Sequence, residues 1–348
     1  MSGPLPSTLC PCHNVRRTCS MVMENNAFVS IPMNGLESLA DSIICQEDKE
    51  ISDVIEWDEE GWHYQGQHFC GSDTVRRERV ALYILALDAI NFCFWPSKSN
   101  QKESNSLEYD HLAIALRKLA EQDDANTTNE SYFFSPSHLS KLTWEAMELS
   151  LKPYLQDHYL PNIQERCRLW NEFADALTFH FHGSALNLIA HCDGSAPKLV
   201  DILVRTFPGF RDEAIWCGRW VAFYKRAQIA VGDWNAALQL DLFDMDQLTT
   251  FADYRVPQVL RHWGAIQYCN ELSIKVDSCI ELTAEEELSI RAATVVCVDE
   301  LLKILNEKSI KTPKRTAVTL DWKLWQIGEV MNQQGTMNPH HRVKTIFY

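Results

Sequence analysis

No uninterrupted apolar run approaches the roughly 20 residues that span a bilayer, so no membrane helix and no membrane partner is expected. The opening MSGPLPSTLCPCHNVRR has no apolar core behind its arginines, and a secretory signal is not expected either. Positive charge is short: 32 Lys and Arg face 47 Asp and Glu, a net charge of −15. Phosphate backbones are gripped by basic faces, so direct nucleic-acid binding is not expected. GxGxxG, P-loop, GxSxG and HExxH patterns are absent, which argues against dinucleotide oxidoreductases, nucleotide hydrolases, the usual serine hydrolases and zinc proteases. Strand and helix patterns do not alternate, and no internal repeat of 20 to 50 residues is found.

Cysteine is not lacking, but its 12 copies are scattered among apolar neighbours, as at Cys93, Cys167 and Cys297. They read as reduced thiols of a cytoplasmic or nuclear protein, in which the NTT and NES sequons at Asn126 and Asn129 stay unglycosylated. Cys10, Cys12, His13 and Cys19 fit no zinc spacing. His180 and His182 in FHFHG match a helix C-terminus closed by Gly183 as well as a ligand pair. Neither a metal nor a cofactor is expected.

With 46% hydrophobic and 23% charged residues, the chain is a globular protein with ample length for a buried core. Residues 1–16 are expected to form a disordered tail and 17–348 a single all-α, multi-helix domain, with two helical lobes and the pocket between them also compatible with the length. Apolar steps of three and four predict helices over 20–44, 74–94, 108–124, 135–151, 162–180, 184–191, 196–206, 277–305 and 316–331. The run EEE at 285–287 reads as a solvated face, 51–71 as irregular structure, 97–106 as a polar surface loop, and the C-terminal tail as extended.

The centre of the chain runs from Arg219 to Gln267. Trp220, Phe223, Ala227, Ala230 and Val231 form one helical stripe, and Lys225 and Arg226 interrupt it with two cations. After an acidic loop comes FADYRVP, and Val259, Leu260, Trp263 and Ile266 restart a stripe. Pro257 suits the first turn of that helix. Asp253 therefore stands just before a helix N-terminus, beside Phe251, Tyr254 and Arg255. An Asp there is an ordinary N-cap, and it is equally a carboxylate fixed beside aromatic groups and a cation.

FPGFRDEAIW, FYKRAQI, FADYRVPQVLRHWGAIQY, LDWKLW, PHHR and IFY, together and in this order, resemble the queuosine salvage proteins, over nearly the whole chain after about residue 17. The resemblance implies a fold similar to helical, helix-hairpin-helix-type DNA glycosylases. It also implies a metal-free hydrolase that releases queuine from queuosine 5'-monophosphate, a small-molecule partner, for salvage into tRNA modification. By the same resemblance Asp253 is the catalytic carboxylate, His68 lies at the nucleobase pocket, and Asp321 and Trp322 recognise the base. Gln326 stands where the family has a second Asp, and Gln cannot balance the positive charge of queuosine's secondary ammonium.

The chemistry is consistent with these residues. As the base leaves, positive charge develops on the ribose, and a fixed carboxylate such as Asp253 stabilises it and orients water. Phe251 and Tyr254 offer flat faces for the base. Lys225, Arg226, Arg255 and Arg342 are candidates for the 5'-phosphate, and each is also suited to pairing with the surplus acids. Two other classes stay open: a helical module that binds queuine or queuosine without cleaving it, and a nucleic-acid base glycosylase.

Overall fold

The computed structural model describes residues 10–47, 57, 58, 60–95, 107–126, 128, 131–308 and 314–348. The all-α class holds: among these residues fourteen α-helices are joined by only two short antiparallel strand pairs. None of the helices is long and apolar enough to cross a membrane. Where one domain over 17–348 was expected, contacts group the chain into two compact units. The first takes residues 1–56, 212–228 and 244–343, the second 57–211, 229–243 and 344–348.

In the second unit the main helices are Asp73–Ala89, Tyr109–Glu121, Trp144–Leu155 and Ile163–Phe181. Ser72 caps the first of these by accepting from the Val75 N–H. That helix ends at Ala89, five residues before the expected Phe94. The cause is Arg166, a fully buried guanidinium that takes the carbonyls of Ile90, Phe92 and Cys93 and lies 4.4 Å over the Phe92 ring. Carbonyls drawn to a side chain cannot continue the helical ladder. The described residues of 57–71 are irregular as expected; the loop expected over 97–106 and the residues 51–56 and 59 lie outside the described residues.

The first unit is built around the long helix Ala284–Lys308, which is buried on most faces along its N-terminal half. Pro11–Glu24 packs along it. This corrects the expected disorder for residues 11–16, while 1–9 lie outside the described residues: Cys12, Val15, Cys19 and Val22 recur at helical steps and are fully buried, and burying that stripe outweighs the cost of ordering the chain. Helices Arg255–His262 and Ala317–Gln333 pack on each other and on the long helix.

Three other expectations for this unit are corrected. The helix expected over 20–44 is two, Pro11–Glu24 and Met33–Glu47. The stripe read from Trp220 begins as a hairpin, Glu213–Trp216 with Arg219–Ala222, because Cys217 and Gly218 both take positive φ, at 48° and 76°; two such residues make the tight turn that matches strand twist. The helix expected over 277–305 begins only at Ala284 and runs to Lys308, after a break that follows the shorter helix Asn270–Asp277. Thr283 and Glu286 make a capping box across the break: the Glu286 carboxylate accepts from the Thr283 N–H at 2.9 Å, and Thr283 Oγ1 accepts from the Glu286 N–H at 3.3 Å. Glu286, one of the EEE residues, is consequently buried rather than solvated.

Candidate active site

Asp253 closes a segment without regular secondary structure, Thr249–Asp253, that precedes the helix Arg255–His262. Every residue of that segment is buried, and three distant side chains, Gln228, Asp321 and Arg291, hold Thr249–Ala252. Thr249 exchanges hydrogen bonds with the Gln228 amide, at 2.8 Å from its N–H to Oε1 and 2.8 Å from Nε2 to its Oγ1. The Thr250 hydroxyl and the Phe251 N–H, the latter at 2.8 Å, both donate to Oδ1 of Asp321. Arg291 Nε donates to the Ala252 carbonyl at 2.9 Å. Upstream, Arg16 of the N-terminal helix donates to the carbonyls of Gln247 and Leu248 while pairing with Asp299 at 2.9 Å. A segment without its own ladder must find partners for its backbone groups elsewhere, and here fixed side chains supply them.

Asp253 itself is 6% exposed. Its Oδ1 accepts from the backbone N–H groups of Arg255 and Val256, at 3.0 and 2.9 Å. The capping role is thus real, and a single oxygen performs it. Burial raises the pKa of Asp253, opposed by the charge of Lys225, by the two N–H donors and by Arg255. Asp321, on Ala317–Gln333, is pushed up to about 8 by burial first and by the charge of Asp253 second. Two acids this strongly coupled titrate as a pair. Asp253, with two N–H donors and the Lys225 charge, takes the negative charge; Asp321 keeps the proton at neutral pH, on the oxygen that Thr250 and Phe251 leave open.

The structure brings Phe251, Asp253, Tyr254, Arg255, Lys225, Arg226, Asp321, Trp322, Gln326 and Arg342 into one unit. Phe251 and Tyr254 are buried, and the Tyr254 ring meets His340 with centroids 4.7 Å apart. Lys225 and Arg226 are buried in the first turn of Lys225–Leu238. Trp322 and Gln326 are half-buried and one turn apart on their helix. Arg255 is 1% exposed and committed: Nε donates to Glu329 at 2.7 Å and Nη1 to Gln258 at 2.7 Å. Glu329, three residues past Gln326 on the same helix, is thus already engaged with a cation. The Arg342 carbonyl accepts from the Leu282 N–H at 3.2 Å. His68 belongs to the second unit and lies exposed on a turn.

Nothing in the linear pattern singles out Thr250, Gln228, Arg291 or Glu329. A glycine adds to this group: a Cβ on Gly328 would stand 2.8 Å from Arg255 Cγ and Cδ and 2.9 Å from Val259 Cγ2. Only Gly at 328 lets the Arg255 stem lie against the helix.

A family model described as queuosine salvage protein matches residues 72–348. A Dictyostelium discoideum protein named queuosine 5'-phosphate N-glycosylase/hydrolase is 38% identical over 317 residues, covering 86% of this chain and 91% of its own. Proteins of the same name are 38% identical over 281 residues in Sphaerobacter thermophilus, covering 78% of this chain and 82% of that one, and 28% identical over 352 in Mus musculus, covering 96% and 98%.

Proposed function

We propose, on the premise that this chain belongs to the queuosine salvage protein family, that Asp253 is the carboxylate with which it opens the N-glycosidic bond of queuosine 5'-phosphate. The chain is an N-glycosidase that hydrolyses this nucleotide and releases queuine for salvage. The observation that carries the role of Asp253 is its division of labour: one oxygen is tied to two N–H groups, and the other makes no hydrogen bond among the described residues.

A carboxylate clamped by one oxygen cannot rotate, and it is fixed before the substrate arrives. As the bond between C1' and the base nitrogen breaks, the electron pair leaves with the base and positive charge spreads over C1' and the ring oxygen. The clamped Asp253 charge stabilises that cation with no reorganisation at the moment of reaction, in a setting dry enough to strengthen the attraction. Water then adds at C1' and gives up a proton, and the base takes one. Burial raises the pKa of Asp253, and the Lys225 charge opposes that shift in favour of the charged form this role needs.

Asp321 and the half-buried Trp322 and Gln326 provide polar and flat groups for the base. Lys225, Arg226, Arg255 and Arg342 are the cations of this unit that suit a 5'-phosphate. For Lys225 and Arg226 the first turn of Lys225–Leu238 adds its N-terminal dipole to their charge.

The test is incubation of the purified chain with queuosine 5'-monophosphate, with queuosine and with duplex DNA, followed by chromatography for free queuine. Release from the monophosphate is expected. Nucleotide that binds yet is recovered intact after long incubation would refute the hydrolase and leave a binding module.

A further inference from the structure

Asp212, in the FPGFRDEAIW stretch, and Arg291, on the long helix, meet in the interior of the first unit, at 3% and 2% exposure. Arg291 Nη1 and Nη2 donate to the two oxygens of Asp212 at 2.9 and 2.6 Å, fork to fork. The guanidinium lies 4.0 Å over the Phe223 ring, and Glu287 stands 3.8 Å away. A buried ion pair is a weak stabiliser, since apolar groups of similar size often serve a core equally well. What distinguishes this one is where its remaining bonds go. Arg291 Nε holds the carbonyl of Ala252, the residue before Asp253, at 2.9 Å, and Asp212 Oδ2 accepts the backbone N–H of Lys225 at 3.1 Å. The pair therefore bridges the backbone of the carboxylate and the backbone of the ammonium that favours its charged form.

We propose that Asp212 and Arg291 are positioning residues that hold Asp253 and Lys225 in register for bond cleavage, a role that rests on Asp253 being the catalytic residue. Neither touches substrate in this role; both act through the atoms they hold. The arrangement makes the Asp253 segment and the start of Lys225–Leu238 move together, so a small error at the bridge becomes an error in the distance between the two charges.

Arg291→Lys keeps the charge and loses the fork, and Asp212→Asn keeps the shape and loses the charge. Each is expected to fold by circular dichroism and to lower kcat by about 10- to 100-fold, the cost of a displacement on the order of 1 Å, with KM within about threefold. The acid limb of the kcat profile is expected to move to higher pH, because a displaced Lys225 favours the Asp253 carboxylate less. Loss of folded protein alone would scale the rate and leave the limb where it was. In an Asp253→Asn background neither change is expected to lower the residual rate further. Wild-type kcat and an unmoved limb in folded Arg291→Lys and Asp212→Asn, beside an inactive Asp253→Asn, would overturn the positioning role alone. A fully active Asp253→Asn would instead remove the role of Asp253. Should both pair variants unfold, Phe223→Leu strips the ring beneath the guanidinium, leaves both charges, and is read by the same limb.

Discussion

Asp253→Asn separates the two duties that one side chain performs. Asparagine keeps an acceptor oxygen for the N–H groups of Arg255 and Val256, which Asp253 meets at 3.0 and 2.9 Å, and loses only the charge. Asp253→Ala loses both. The cap is worth about 1 to 2 kcal/mol, so Ala is expected to destabilise by that amount in urea unfolding. Asn is expected to match the parent or exceed it, since burial raises the pKa of Asp253 and a neutral group escapes that cost. Activity orders the variants differently. A preorganised charge beside a developing cation in a dry site is worth about 10²- to 10⁴-fold in rate, or about 3 to 5 kcal/mol. Both variants are expected to lose that much kcat in single-turnover queuine release, with KM little changed. If Asn turned over at the parent rate, or if activity in the two variants followed their folded fractions, Asp253 would be a cap and nothing more.

Asp321→Asn tests the shared proton. The folded pKa of about 8 lies above the ordinary 3.8, so the folded state holds a proton that the unfolded chain releases. Stability is fully present below about pH 4 and falls as pH rises towards 8, by at most about 1.4 kcal/mol per unit; unfolding followed across that window should show the slope flattened in the variant, and an unchanged slope would exclude Asp321 as its source. Gly328→Ala drives a methyl into the Arg255 stem and Val259, with an expected cost of about 1 to 3 kcal/mol in thermal unfolding; an unchanged melt would show that the two helices can separate freely. Glu329→Gln leaves Arg255, 1% exposed, without its carboxylate and is expected to cost about 2 to 3 kcal/mol in urea, whereas a loss near zero would mean that Gln258 suffices.

The helical class was legible because long amphipathic stripes such as Ile163–Phe181 and Ala317–Gln333 are set by local spacing. So was the setting of Asp253, since a carboxylate four residues before Pro257 announces a helix start. The hairpin 213–222 was not, because RWVAFYKR offers three- and four-residue apolar steps whether or not its first half is extended, and the deciding signal is the backbone of Cys217 and Gly218. The anchors of the Asp253 segment were illegible for another reason. Asp321 lies 71 residues from Thr250, and Arg291 lies 79 from Asp212; isolated polar residues acquire meaning only when the chain brings their partners to them. The N-terminal helix shows the converse: its stripe is present, but a start rich in Pro, Ser and Gly hides where it begins.

The unit that holds Asp253 is stitched from three stretches, 1–56, 212–228 and 244–343. The helix Pro11–Glu24 must therefore wait for 231 to 283 further residues before its Arg16 finds Gln247, Leu248 and Asp299. Pairings this distant close slowly and leave apolar stripes bare in the meantime. A chain cut off before Asp299 leaves Arg16 without its carboxylate, and one cut off before Asp321 leaves the Thr250 hydroxyl and the Phe251 N–H without their acceptor.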